Sequence, residues 1–182
     1  MGVTYLETVK PEVIRTVALR MMAAARTAPK TRGRDHIVTA VVSDDVKMTL
    51  VAHMRLMVDE HRADDFFIRD AANLETADGL ILIGVKIQPM YFDTCGLCGW
   101  KNCEEKSMHP DFPCVFNTSD LGTAVCSATA VASDERIDNR IMFSVGMAAR
   151  DLQLLGEDVK IVYGIGLSIS GKNIFFDRIP IK

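Results

Sequence analysis

Four of the five cysteines in this chain of 182 residues lie within one window of 20 residues. Uniform scattering would place about 0.5 of a cysteine in such a window, so the clustering is a signal. The four are Cys95, Cys98, Cys103 and Cys114, with the spacing C-x2-C-x4-C-x10-C. Two thiolates in a C-x2-C unit sit on one tight turn and can reach the same ion, which predicts a bound metal or cluster.

Disulfides and free structural thiols are the weaker interpretations of this cluster. Nothing in the sequence indicates secretion, and pairing the four would leave a fifth cysteine, Cys126, over. Gly96 and Gly99 tolerate positive φ, so backbone amides as well as sulfurs can turn towards a bound group. Such amides could donate to the sulfurs and adjust a reduction potential.

The identity of the metal is left open between two candidates, because four thiolates serve tetrahedral zinc or an iron–sulfur cluster. Structural zinc usually pairs two C-x2-C units, whereas three close cysteines plus a distant one is the commoner arrangement around a 4Fe–4S cluster. The spacing therefore favours 4Fe–4S, with zinc as the alternative. His109 could replace one thiolate, although its place before Pro110 is more typical of a loop residue.

The composition, with 48% hydrophobic and 25% charged residues and a net charge of −3, is that of a globular protein. It excludes a disordered chain or a coiled coil. Neither nucleic acid nor a membrane surface is expected as a partner, because neutralising phosphates requires a net basic face. No apolar run approaches the ~20 residues of a bilayer span, and the first ten residues do not resemble a signal peptide. We therefore expect a cytoplasmic protein.

Helical and strand patterns alternate on both sides of the cysteines. They predict helices over residues 11–28, 44–61, 64–77, 120–132 and 133–155, and strands over 37–42, 79–85 and 159–167. The continuous apolar run at 79–85 is typical of a strand covered on both faces. The expected fold class is α/β (α+β), one domain over residues 1–182 into which a cysteine-rich loop, residues 91–116, is inserted.

Three details of these helices carry further expectations. Pro11 is placed in the first turn of the first helix, where proline is tolerated. Ser119 is the expected N-cap of the helix over 120–132, which has almost no charge beyond its first residue. A helix apolar on all sides is buried or lies in a subunit interface, which predicts a homodimer. Cys126 on this helix is expected to be buried as a small apolar residue.

A basic loop lies between the first helix and the first strand. Residues 26–34 hold four basic side chains and no acid, and Arg26, Lys30 and Arg32 are three of the four. Loops in this position of α/β proteins often bind ligands, so these residues are candidate ligands for a phosphate-bearing cofactor. Lys172, in the glycine-flanked loop after the last strand, is a fourth candidate. A solvated basic loop without a ligand is the alternative.

Two resemblances add to this picture. The segment 95–103, Cys-Gly-Leu-Cys-Gly-Trp-Lys-Asn-Cys, resembles the C-x2-C-G-x3-C segment of small 4Fe–4S domains such as that of corrinoid iron–sulfur proteins. Most of the chain resembles a family of ferredoxin-domain-containing proteins of bacteria and archaea, through the motifs at 25–30, 95–103, 120–122, 138–140 and 170–173. This resemblance implies a 4Fe–4S cluster on the four cysteines, and the family supplies no reaction.

A more distant resemblance is to FMN-dependent nitroreductases. Residues 24–29 with the following basic loop and strand are similar to the stretch that passes over the flavin, and 120–124 are similar to the start of the dimer-interface helix. The Ser-x-Asn-Gln-Pro pattern of those enzymes is replaced here by Lys-Thr-Arg-Gly-Arg at 30–34. The resemblance implies a nitroreductase-like three-layer fold, with FMN as the cofactor that the four basic candidates would hold.

The sequence therefore predicts an iron–sulfur redox protein that passes electrons to a bound flavin or to a partner protein. Trp100 is expected to shield the cluster from water. The alternative from another class is a non-enzymatic binding or regulatory module, in which the same cysteines hold zinc. No H-E-x-x-H, nucleophile elbow or P-loop is present, so no catalytic residue is assigned and an oxidoreductase activity is left open.

Overall fold

Four antiparallel strands, in the order β1-β2-β4-β3, form the sheet at the centre of the computed structural model, which describes residues 2–176. The strands are β1 (Ile37–Val42), β2 (Gly79–Lys86), β3 (Asp138–Met142) and β4 (Val159–Ser168). The helices are α1 (Leu6–Thr27), α2 (Asp44–Asp59), α3 (Phe66–Thr76), α4 (Cys103–Ser107), α5 (Val115–Asp134) and α6 (Phe143–Asp151). The three strands that the sequence predicted are confirmed.

Both faces of the sheet are covered, which gives three layers. On β2, Ile81 and Ile83 pack with α1 and α5, whereas Leu80 and Leu82 pack with α2, α3 and α6. Successive side chains of a strand point to opposite faces, so a strand between two helical layers must be apolar at every position. The apolar run at 79–85 is explained in this way, and it occurs here in an antiparallel sheet.

The long helix predicted over residues 133–155 is wrong. α5 continues to Asp134, Arg136 adopts a left-handed φ of 59°, and the chain then forms β3 before α6 begins at Phe143. β3 is an edge strand that pairs with β4 along residues 138–142. Its helical spacing of apolar residues is overridden because backbone pairing with β4, far along the chain, stabilises the extended conformation.

Two helices begin earlier than predicted. α1 begins at Leu6, so Pro11 lies inside the helix and removes one backbone hydrogen bond near its exposed first turns. α5 begins at Val115, because Cys114 rather than Ser119 occupies the N-cap position. The second change places the last of the four clustered cysteines directly at a helix start. Within residues 2–176 no helix is long and apolar enough to cross a membrane.

Candidate functional site

The four clustered cysteines lie in the segment that connects β2 to α5. Cys95 and Cys98 are half-buried in the irregular part of this segment. Cys103 is the first residue of the short helix α4, and Cys114 is the N-cap of α5. Both of these are buried, with exposed fractions of 8% and 4%. The segment therefore carries two thiols near its surface and two at its base.

Local hydrogen bonds fix the turn around the first three cysteines. Gly99, at φ 90°, donates its N–H to the carbonyl of Gly96 at 3.0 Å, which closes the turn between the thiols. At α4, the side chain of Asn102 accepts from the N–H of Glu105 at 2.8 Å, and Glu105 in turn accepts from the N–H of Lys101 at 2.7 Å. This reciprocal capping stabilises a helix of only five residues and fixes the position of Cys103.

The thiols are not gathered into a ligand set. Across the described range 2–176, no group of three or more His, Cys, Asp or Glu side chains is arranged to hold a metal ion. The assignment of Cys95, Cys98, Cys103 and Cys114 as ligands therefore stays a prediction from their spacing. Whether the surroundings of the thiols suit an anionic cluster is a separate question, and two buried polar side chains bear on it.

Lys106 is the first of these side chains. Only 2% of the residue is exposed, so its aliphatic stem is buried while the ammonium end reaches solvent, and within residues 2–176 the ammonium forms no hydrogen bond or ion pair. Because it follows Cys103 by three residues on α4, the two side chains share the buried face of that helix. A largely buried cationic side chain is stabilised by a nearby negative charge, and a group bound through the thiolates would supply one.

Asn117 is the second. It is completely buried on the first turn of α5, three residues after Cys114. Its Oδ1 accepts a hydrogen bond from the N–H of Gln88 at 2.9 Å, which fixes the orientation of the amide. Its Nδ2 has no hydrogen-bond partner. The sequence analysis did not identify Asn117 or Lys106, because their burial depends on how the segment folds back onto the domain.

Aromatic rings cover part of the cysteine segment. The rings of Trp100 and His109 stack with centroids 4.0 Å apart, and Phe112 meets Trp100 edge-on at 5.8 Å. The stacking gives His109 a role in packing, in line with its interpretation as a loop residue. A cavity of about 350 Å³ lies beside this cluster and is lined in part by Cys98, Trp100 and Phe112. That Trp100 shields the site from water stays a prediction.

The basic loop makes contacts within the chain. Arg26 forms an ion pair with Asp35, and Lys30 donates to the carbonyls of Ala25 at 2.5 Å and Arg26 at 2.6 Å. Lys30 thus caps the C-terminal end of α1. Burial lowers the pKa of the Lys30 ammonium, and the nearby Asp35 carboxylate opposes this shift only in part.

Arg32 joins the basic loop to the start of the cysteine segment. Its guanidinium donates to the carbonyls of Met90 at 3.0 Å and Tyr91 at 3.2 Å, and it lies 5.3 Å from the ring centroid of Phe92. Arg32 and Tyr91 both adopt left-handed φ values, 58° and 52°. Non-glycine residues with left-handed φ carry backbone strain, so the packing around Arg32 and Tyr91 must stabilise both conformations. The loop and the cysteines are thereby neighbours in space.

Asp120 makes a second connection, which the sequence analysis missed. This buried carboxylate on α5 accepts from the N–H of Thr31 at 3.0 Å and from its Oγ1 at 2.9 Å. An aspartate in a helix whose other charged residue, Asp134, lies at its very end is the signal that could have indicated it. Cys114, Asn117 and Asp120 therefore form a buried polar stripe at intervals of three residues, from the cysteines to the basic loop.

Two other predicted residues are exposed. Lys172 is exposed in the loop after β4, where its carbonyl accepts a hydrogen bond from Ser170. Cys126 is exposed on α5, so the prediction that it is buried is wrong. The helix buries one side against α1 and the sheet, and it exposes small residues on the other, among them Gly122, Cys126 and Ala130.

Known structures show the same fold. A nitroreductase family protein from Clostridium novyi NT matches with a TM-score of 0.59 and 13% identity, over 88% of this chain and 78% of that one. A BluB-like flavoprotein from Clostridium difficile 630 matches with a TM-score of 0.59 and 17% identity, over 92% and 84%. An FMN-dependent nitroreductase from Clostridium difficile R20291 matches with a TM-score of 0.53 and 14% identity, over 87% of this chain and 77% of that one. The predicted nitroreductase-like fold is confirmed.

Sequence comparison identifies the family. An uncharacterized protein from Archaeoglobus fulgidus is 36% identical over 182 residues, which cover 95% of this chain and 96% of that protein. The family model described as "Uncharacterized protein containing a ferredoxin domain (DUF2148)" matches residues 111–178, a range that includes Cys114 and begins after the other three clustered cysteines. A ferredoxin domain implies an iron–sulfur cluster. The chain belongs to this family of proteins containing a ferredoxin domain.

Proposed function

We propose that this protein is an iron–sulfur electron-transfer protein in which Cys95, Cys98, Cys103 and Cys114 hold a 4Fe–4S cluster. The observation that carries the proposal is the grouping of the four cysteines in one connection, with the buried side chain of Lys106 on the same helix face as Cys103. A cluster bound by four thiolates is anionic, and the charge of Lys106 would offset part of that negative charge. When bound, the cluster accepts and releases one electron.

The residues around the thiols have separate tasks in this proposal. Lys106 offsets negative charge, and the turn closed by the hydrogen bond from Gly99 to Gly96 fixes the spacing of Cys95 and Cys98. Trp100, His109 and Phe112 limit the access of water. We place the protein in the cytoplasm, where thiols are kept reduced for metal binding.

Metal analysis of protein purified without oxygen tests this proposal. We expect a brown protein with stoichiometric iron and acid-labile sulfide, and broad absorption that bleaches with dithionite. The alternative is a zinc-stabilised binding or regulatory module, which uses the same thiols. A colourless protein with one zinc per chain and no iron, after strictly anaerobic handling, would replace the redox proposal with that alternative.

We further propose FMN as the electron acceptor. Support comes from the nitroreductase-like fold, from the FMN-dependent nitroreductase among the similar structures, and from Arg32, which brings the basic loop against the cysteine segment. Arg26, Lys30, Arg32 and Lys172 are the proposed phosphate ligands. The side chain of Arg26 is 60% exposed, and a surface ion pair such as that with Asp35 contributes little stability, so its exchange for a phosphate contact costs little.

Replacing Arg26 and Lys30 together by alanine is expected to weaken FMN binding by about 100-fold. Each charge-assisted hydrogen bond contributes about 1.5–3 kcal/mol, and about 1.4 kcal/mol corresponds to a factor of ten. Flavin fluorescence during titration with protein measures the affinity. Arg34→Ala, an exposed cation of the same loop, is the control and should bind as the wild type does. Wild-type protein that leaves flavin fluorescence unchanged at high micromolar concentration would exclude the pocket.

We also propose that the protein is a homodimer through the exposed small residues of α5, since such residues allow another helix to approach closely. A partner protein is the alternative electron acceptor if no flavin binds. Sedimentation velocity at micromolar concentration tests the dimer: a mass of twice the chain is expected, and a monomer would contradict it.

A further inference from the structure

The buried amide of Asn117 is left half-satisfied by the fold. Its Oδ1 is held by the N–H of Gln88, so its two Nδ2 protons point away from that contact. The residue is 0% exposed, and Nδ2 has no hydrogen-bond partner. Leaving a buried donor unsatisfied costs about 1–3 kcal/mol, so an orphaned amide in a native fold requires an acceptor.

The position of Asn117 indicates which acceptor this is. It lies on the first turn of α5, and its own N–H donates to the carbonyl of Cys114 at 2.9 Å. Side chains three residues apart on a helix are neighbours, with Cβ atoms about 5–6 Å apart. Cys114, the N-cap of α5, is also buried, and as a cluster ligand its thiolate sulfur would be an acceptor one turn before Asn117.

We propose that Nδ2–H of Asn117 donates a hydrogen bond to the sulfur of Cys114 in the cluster-loaded protein and raises the reduction potential of the cluster. This rests on the proposed function, since it needs a cluster held by Cys114. Asn117 is a positioning residue. The side-chain Nδ2–H group stabilises the reduced cluster more than the oxidised cluster, because the reduced cluster carries one more negative charge. Hydrogen bonds to sulfur are one of the factors that set the reduction potentials of iron–sulfur clusters.

Two variants test the hydrogen bond. Asn117→Leu removes the donor, and Asn117→Asp removes it while keeping the acceptor for Gln88 that supports the fold. In both, the equilibrium of electron exchange with a reference dye is expected to move at least about tenfold towards the oxidised cluster, a fall of about 59 mV for one electron. Iron and sulfide contents are expected to remain those of the wild type.

The chain offers a matched control. Asn73 on α3 is the other residue in the described range 2–176 with a buried, unpartnered Nδ2, and it packs in the helical layer that faces away from α5. Asn73→Leu should leave the potential unchanged, although it also removes a buried amide. If the loss of a buried amide changed the potential only through a general effect on the fold, Asn117→Leu and Asn73→Leu would shift the potential by similar amounts.

Each outcome is decisive. If both Asn117 variants carry a full cluster at the wild-type potential, or if both lose iron while Asn73→Leu retains it, the proposed hydrogen bond is wrong. Loss of iron would mean that Asn117 supports the fold of the site rather than the charge of the cluster. If the wild-type protein itself contains no iron, the proposed function fails first, and this result is distinct from an unchanged potential.

Discussion

Serine in place of any one of the four clustered cysteines is expected to lower the iron content of anaerobically purified protein severely. Structural zinc sites have apparent binding free energies of about 10–16 kcal/mol, and if a cluster is held with comparable strength, one thiolate of four contributes roughly 3 kcal/mol, or about 100-fold in affinity. The loss should be largest for Cys103→Ser and Cys114→Ser, because these two thiols are buried and water cannot replace them easily. Iron and acid-labile sulfide per chain are the quantities to measure.

Two further variants serve as controls for this series. Cys126→Ser should retain full iron, because Cys126 is exposed on α5 and apart from the cysteine segment. His109→Ala should also retain iron, because the ring of His109 stacks on Trp100. If Cys114→Ser retained full iron while His109→Ala lost it, the fourth ligand would be His109 rather than Cys114.

Gly146→Ala is expected to lower the free energy of unfolding by about 3 kcal/mol, the upper part of the range for overpacked cores. Gly146 lies on α6 where this helix crosses β4, and a Cβ there would lie 1.7 Å from the carbonyl oxygen of Val162. The obstacle is backbone, so either the helix or the strand must shift. Urea unfolding followed by circular dichroism measures the change.

Gly171→Ala is the control for that experiment. A Cβ at Gly171 would meet nothing within 4 Å, so the unfolding midpoint should stay close to that of the wild type. A change of less than about 0.5 kcal/mol in Gly146→Ala, the range of ordinary surface substitutions, would show that α6 is not packed on β4 as described.

Much of the fold can be predicted from local patterns. The strands over 37–42, 79–85 and 159–167 are confirmed, because a strand between two helical layers must be apolar at consecutive positions and few other structures need such a run. The clustering of the cysteines is equally local, since all four fall within one connection between two elements. The resemblance to the ferredoxin-domain family is confirmed by the family model and the relative, and the resemblance to the nitroreductase fold by the similar structures.

Other features depend on partners that are distant in sequence. Residues 138–142 have helical spacing but form a strand, because β4 supplies the backbone hydrogen bonds that hold them extended. Cys126 lies on an apolar helix but is exposed, because α1 and the sheet cover only one side of that helix. Periodicity reports how apolar a position is, and it does not report which neighbour covers it.

The same limit applies to the site. Spacing identified the four cysteines and the basic loop, but only the folded chain shows Arg32 bound to the carbonyls of Met90 and Tyr91. Lys106 and Asn117 are ordinary polar residues in the sequence, and the buried side chain of Lys106 and the unpaired Nδ2 of Asn117 are evident only in the folded chain. Residue type and spacing are enough to identify a group of thiols. The charges and hydrogen-bond donors that would adjust the reduction potential of a bound cluster depend on tertiary structure, because a polar side chain needs a partner in the protein only when folding removes it from water.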